Sequence, residues 1–106
     1  MKAAMSARMT SAFDLTGKRA LVTGANTGLG QAIALALAQA GAQIVGVGRS
    51  AMDETAAGVA AAGRGFSAIK ADLSTAADHA RIVAEAGEID ILVNNAGIIR
   101  RADAVD

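Results

Sequence analysis

The stretch Thr23-Gly24-Ala25-Asn26-Thr27-Gly28-Leu29-Gly30 is suited to holding an anion rather than to breaking a bond. Its glycines are spaced Gly24-x-x-x-Gly28-x-Gly30, between a short apolar run and an alanine-rich run of helical period. Strand, glycine turn and helix in that order gather unpaired backbone N–H groups at the positive end of a helix dipole, where a phosphate binds. The same residues would also make a tight strand-to-helix turn with no ligand. Two further stretches put polar groups after apolar runs. One is Asp72-Leu73; the other is Asn94-Asn95-Ala96-Gly97, whose amides can lock neighbouring backbone while Gly97 leaves room beside it. Groups for covalent or acid–base work are scarce. The chain has no cysteine and no tyrosine, and its one histidine, His79, falls mid-helix with no second ligand or base nearby. It reads as a solvated histidine, and no metal site is expected.

The elements that must hold these stretches follow from the hydrophobic period. Residues 1–13 are small, polar and aperiodic and read as a flexible N-terminal tail, which leaves 14–106 as one small domain or part of a larger one. Leu15-Thr16-Gly17-Lys18 turns the chain into a first strand over 19–23. Leu29, Ile33 and Leu37 then recur every four residues with Ala32, Ala36 and Ala40 beside them, which predicts a helix burying that face and stopped by Gly41. A second strand spans 43–47, and Ser50 with Asp53 three residues on predicts a capping box for a second helix that closes around 63–65. A third strand follows over 66–71. Ser74 or Thr75 caps a third helix over 76–86, Gly87 stops it, and a fourth strand runs over 89–94. Strands alternating with helices, joined by right-handed crossovers, predict a parallel sheet covered on both faces. In such a sheet ligands bind outside the carboxyl ends of the strands where the order reverses. The glycine turn and the Asn94 stretch then border one crevice, though Asn and Gly also suit an ordinary turn.

Composition narrows the partners. Basic and acidic residues balance at 10 each, and no basic block exceeds Arg100-Arg101, which argues against nucleic acid. No run approaches the roughly 20 apolar residues of a membrane span, and the first residues lack the apolar core of a signal peptide. A cytoplasmic protein with no membrane partner is expected. The glycine spacing differs from the commoner G-x-G-x-x-G fingerprint, and no Gly-Lys-Ser/Thr follows, so a P-loop is excluded.

Together these residues resemble the short-chain dehydrogenase/reductase family. Thr-Gly-x-x-x-Gly-x-Gly, an Asp-Leu after the third strand and Asn-Asn-Ala-Gly after the fourth all stand at that family's spacing, from about Phe13 onward. The resemblance implies the N-terminal part of a doubly wound α/β Rossmann fold, with a parallel sheet in the order 3-2-1-4 cut after the fourth strand. It also implies a site for NAD or NADP. Gly24, Gly28 and Gly30 would form the turn under the pyrophosphate, with the Asn26 and Thr27 side chains near the adenosine ribose and phosphates. The Leu29 N–H would donate to a phosphate oxygen. Asp72 would meet the adenine amino group and Leu73 the ring, while Asn94, Ala96 and Gly97 would run along the ribose beside the nicotinamide. Asp72 would equally serve as a carboxylate at the start of a helix.

An acid after the second strand would hold the ribose 2′-hydroxyl of NAD, and this chain has Gly48-Arg49-Ser50 there. Arg49 can pair with the 2′-phosphate of NADP, or lie solvated over the adenine of either cofactor. Residues 26–31 and 95–103 are also similar to the branch of the family that acts on sugar acids such as 2-deoxy-D-gluconate or 2-dehydro-3-deoxy-D-gluconate. That branch is usually NAD-linked, against what Arg49 offers. Arg100 and Arg101 could hold a sugar-acid carboxylate, or could be surface charge or a subunit contact. The resemblance implies a homo-oligomer, a tetramer or dimer, for the full-length form. It calls for a serine and a Tyr-x-x-x-Lys pair, which are expected beyond Asp106. The chain is therefore expected to be the cofactor-binding part of an oxidoreductase acting on a small-molecule sugar acid, or else a non-catalytic dinucleotide-binding module.

Overall fold

A computed structural model describes residues 14–95. The elements are β1 (Arg19–Thr23), α1 (Gly28–Gln39), β2 (Gln43–Gly48), α2 (Asp53–Ala61), β3 (Phe66–Lys70), α3 (Ala76–Ala86) and β4 (Ile91–Asn94). The four strands form one sheet, parallel as the spacing predicts, in the order β3-β2-β1-β4 that the resemblance implies. Alternation along the strands sorts the core into two layers. Ala20, Val22 and Ile44 pack with Ala34 and Ala38 of α1 and Val59 of α2. Leu21, Val45, Val47 and Ile69 pack with Ile82 and Ala86 of α3 on the opposite face. Each fully buried Val or Ile here contributes about 1.5–3 kcal/mol against exposure.

The register brings the strands' carboxyl ends level. Thr23 stands opposite Val47 on one side and Asn94 on the other, and Gly48 stands opposite Lys70. The segments after these strands therefore share one rim. Gly41, at φ +116° just past α1, takes the helix-stopping role expected of it. Among the described residues, no helix is long and apolar enough to cross a membrane.

Local details depart from expectation, each for a physical reason. The α1 residues buried against the sheet are Gly30, Ala34 and Ala38, not the face centred on Leu29, Ile33 and Leu37. Leu29 is 55% exposed, and Ile33 and Leu37 flank the core half-buried. The smallest residues set how near the helix can come to the sheet, so the small-residue stripe faces it and the larger side chains splay to either side.

The capping box at Ser50 does not form. The N-cap of α2 is Met52, with no side-chain cap bond. Met52 is 5% exposed in the core, so apolar burial fixes this helix start. For α3 the cap is Thr75, whose side chain accepts from the Asp78 N–H. The β4 ladder begins at Ile91 rather than at residue 89, because the Asp90 carboxylate takes the Arg19 N–H at 2.9 Å. At the other strand ends, β2 runs on to Gly48 and β3 stops at Lys70. The expected tail over 1–13 and the positions Ala96, Gly97, Arg100 and Arg101 lie outside the described residues.

Candidate functional site

The glycine turn is assembled by contacts from three strands and two helices. Gly24 adopts φ +67°, which lets the chain reverse directly after β1. The Gly24 and Ala25 N–H groups both donate to the Val47 carbonyl, at 2.7 and 3.2 Å, which fastens the turn to the end of β2. Thr27 is the N-cap of α1. Its hydroxyl donates to the Gly24 carbonyl at 2.8 Å and accepts from the Gly30 N–H at 3.1 Å. Asn95, wholly buried just past β4, donates Nδ2 to the same hydroxyl at 3.2 Å and to the Gly24 carbonyl at 3.5 Å. The Thr27 side chain is thus committed inside the turn.

This leaves a specific set of donors. A helix has no internal partner for its first N–H groups. In α1 the Thr27 hydroxyl takes that of Gly30 and the Thr27 carbonyl takes that of Gln31. Among the described residues, the N–H groups of Gly28 and Leu29, on two exposed residues, have no partner and remain at the helix mouth. The glycines around them differ in purpose. A Cβ on Gly30 would lie 1.9 Å from the Gly24 carbonyl oxygen, so Gly30 is a packing glycine. A Cβ on Gly28 would meet nothing within 4 Å among the described residues, so protein packing does not demand glycine there. Two open N–H donors, a dipole end and a glycine with space above it suit a phosphate group.

The other predicted residues line the same rim. Arg49 is exposed and directly follows β2. Asn26 leans onto the backbone before it, since a Cβ on Gly48 would lie 2.4 Å from Asn26 Oδ1. A pocket of about 270 Å³ beside the turn is lined by Asn26, Gln31 and the start of α2, including Asp53 and Glu54. Those two carboxylates disfavour an anion in that pocket, and Arg49 lies outside its lining. Asp72 Oδ1 accepts from the Ser74 N–H at 2.9 Å and hydroxyl at 2.7 Å, so this carboxylate organises the start of α3. At the far end, the Thr23 hydroxyl donates to Asn94 Oδ1 at 3.2 Å and ties β1 to β4. His79 donates from Nε2 to the Leu73 carbonyl rather than standing free. Among the described residues no cluster of His, Cys, Asp and Glu could hold a metal ion.

Two residues escaped sequence reasoning. Thr23 opens the glycine motif and ends the first strand, but its bond across to Asn94 is not written in that motif, and Thr55 belongs to no motif at all. Thr55 is 1% exposed and donates its hydroxyl to the Ala25 carbonyl at 2.8 Å. A signal was present: Met52, Thr55 and Val59 stand at i, i+3 and i+7, which sets a hydroxyl within an apolar helical stripe.

Comparison with known proteins places this geometry among relatives. The model of the short chain dehydrogenase family matches residues 18–106. The 2-dehydro-3-deoxy-D-gluconate 5-dehydrogenase of Dickeya dadantii (strain 3937) is 53% identical over 98 residues, which cover 89% of this chain and 39% of that protein. The Escherichia coli (strain K12) protein of the same name is 55% identical over 100 residues, covering 91% and 40%. The chain therefore spans about two-fifths of the length of these curated relatives. Among solved structures, a protein from Agrobacterium tumefaciens provisionally named a 2-deoxy-D-gluconate 3-dehydrogenase, with NADP bound, is 51% identical. It superposes with a TM-score of 0.70 over 78% of this chain and 33% of its own. A 3-oxoacyl (acyl-carrier-protein) reductase from Agrobacterium tumefaciens C58, also with NADP bound, gives 0.77 at 35% identity, over 85% and 37%.

Proposed function

The chain belongs to the short-chain dehydrogenase family, and we propose that it is the dinucleotide-binding part of an oxidoreductase that moves hydride between NAD or NADP and a sugar acid. The observation that carries this is the mouth of α1, where among the described residues the Gly28 and Leu29 N–H groups stay open while the Thr27 hydroxyl, the Gly24 carbonyl and the Gly30 and Gln31 N–H groups beside them are engaged. The sugar-acid substrate, such as 2-deoxy-D-gluconate or 2-dehydro-3-deoxy-D-gluconate, is supported by the names of relatives more than 50% identical.

The residues present fit such a cofactor. The Leu29 and Gly28 N–H groups donate to pyrophosphate oxygens, Gly24 and Gly30 shape the turn beneath, and Thr27 keeps that shape through its committed hydroxyl. Asn26 and Arg49 take the adenosine ribose, and Arg49 meets the extra phosphate when the cofactor is NADP. Asp72 and Leu73 border the adenine. By the resemblance, Asn94 would line the ribose next to the nicotinamide together with Ala96 and Gly97, and Arg100 and Arg101 would take the substrate carboxylate; these last four lie outside the described residues. A bound nicotinamide supplies or accepts the hydride. The protein's share in this part is to bind and orient, because the chain holds no tyrosine and so does not contain the family's proton donor. A cytoplasmic location and a homo-oligomer, dimer or tetramer, belong to the same proposal.

Titration calorimetry with NAD and with NADP tests it. Binding of at least one dinucleotide, with competition from a matched adenine nucleotide, is the expected result; no heat with either removes the proposal.

A further inference from the structure

We propose that Thr55 is a positioning residue: it sets the direction of the peptide unit between Ala25 and Asn26 and so holds the glycine turn ready for the dinucleotide. This inference deepens the dinucleotide reading and rests on it for its ligand. Ala25 is wholly buried, with its N–H held by the Val47 carbonyl of β2 and its carbonyl held by the Thr55 hydroxyl of α2 at 2.8 Å. The residue is therefore gripped at both ends by different elements. A trans peptide unit is planar, so a carbonyl drawn toward α2 aims the Asn26 N–H the opposite way. Asn26 itself leans on Gly48, one residue before Arg49, so the grip on Ala25 also fixes how the turn meets the segment after β2.

A hydroxyl in the first turn of a helix ordinarily bonds to its own backbone. Here it reaches across 30 residues of sequence to a loop carbonyl, while Met52 and Val59 of the same helix provide apolar packing in the core. Packing alone would be satisfied by valine at position 55, which is nearly isosteric with threonine. The hydroxyl is what the Ala25 carbonyl needs, because a buried acceptor without a donor is costly.

The test compares Thr55→Val with Thr55→Ser in the whole chain, reading amide hydrogen exchange without ligand and the dissociation constant for NADPH by its fluorescence. In Thr55→Val the Ala25 and Thr27 amides are expected to exchange about tenfold faster, on the scale of one lost buried hydrogen bond, with α3 and β4 amides unchanged. NADPH affinity is expected to fall about tenfold as well, and Thr55→Ser to restore both. Unchanged exchange in the turn overturns the proposal, as does faster exchange spread evenly over the sheet. If Thr55→Val does not fold, Thr55→Cys, a weak donor of similar size, replaces it; parental exchange there, or failure of both variants to fold, overturns it too. Faster turn exchange in a chain whose parent binds no dinucleotide keeps the positioning role and removes the dinucleotide reading.

Discussion

Two glycines two residues apart in sequence, Gly28 and Gly30, separate stability from binding when each becomes alanine. At Gly30 the new Cβ would sit 1.9 Å from the Gly24 carbonyl oxygen and 3.0 Å from Asn95 Nδ2. Backbone must move by about 1.1 Å merely to reach a 3.0 Å separation, and the Thr27 and Asn95 bonds to that carbonyl are disturbed with it. Overpacking costs about 1–3 kcal/mol, and each strained hydrogen bond about 1 kcal/mol more, so Gly30→Ala should cost about 3 kcal/mol or more. For a domain of this size that lowers Tm by roughly 12 °C or more. At Gly28 the Cβ meets open space, and alanine is the better helix former by up to about 1 kcal/mol. Gly28→Ala should therefore leave Tm unchanged or slightly raised. A methyl group beside the Gly28 and Leu29 N–H donors should nonetheless weaken dinucleotide binding about tenfold or more, the scale of one charge-assisted hydrogen bond. Thermal unfolding by circular dichroism and NADPH fluorescence titration read the two effects. Equal melting of both variants would refute the packing assignment. Undiminished affinity in Gly28→Ala would refute the phosphate seat.

Arg49→Asp should shift preference from NADP toward NAD by roughly 10- to 100-fold, since it removes a charge-assisted bond and adds a repulsion; an unchanged ratio of the two dissociation constants would sink the assignment. Asn95→Asp turns a wholly buried donor into a buried acid facing the Gly24 carbonyl. Burial raises the pKa of such an acid, so the variant should be destabilised at neutral pH and regain stability as pH falls through that raised value. A melting deficit that does not shrink between pH 7 and about pH 5 would contradict the orphaned-carboxylate mechanism. The Asp14 carboxyl is held below the ordinary carboxylate range by the Thr16 hydroxyl and then by the Thr16 N–H. Its contribution to stability is present above the ordinary range and lost as pH falls through the lowered value, and Thr16→Val should move its NMR titration back part of the way. Leu92 is 68% exposed on β4, beside an apolar groove of about 680 Å³ lined also by Leu21, Val83 and Ile89. The 106-residue chain is expected to self-associate and Leu92→Lys to reduce that in sedimentation velocity; a parent that stays monomeric at every concentration would count against it.

Much of the fold is written in short-range pattern. The alternation of short apolar runs with helical period, punctuated by glycines, specifies seven elements in order, because each signal lies within a few residues of the structure it produces. Thr75 shows this at the level of one cap, three residues before the N–H it accepts. Right-handed crossovers then leave little choice of layering. The rim shared by Gly24, Arg49, Asp72 and Asn94 follows from that order, since consecutive parallel strands end on the same side.

The tertiary structure alone decided which surfaces the elements turn inward and which polar groups stay free. The stripe of α1 that faces the sheet is the one with the smallest residues, which only the approach distance of a neighbouring layer can select. The start of α2 is fixed by burial of Met52 in a core assembled from distant strands, so a local capping signal at Ser50 lost. Thr27 reads in sequence as a side chain available to a ligand. In the fold it is claimed by Gly24, Gly30 and an asparagine 68 residues away. The same closure of long-range bonds leaves the Gly28 and Leu29 N–H groups open. The glycine spacing thus determined that a turn of this kind forms, and contacts from β2, α2 and the end of β4 determined which of its atoms face a ligand.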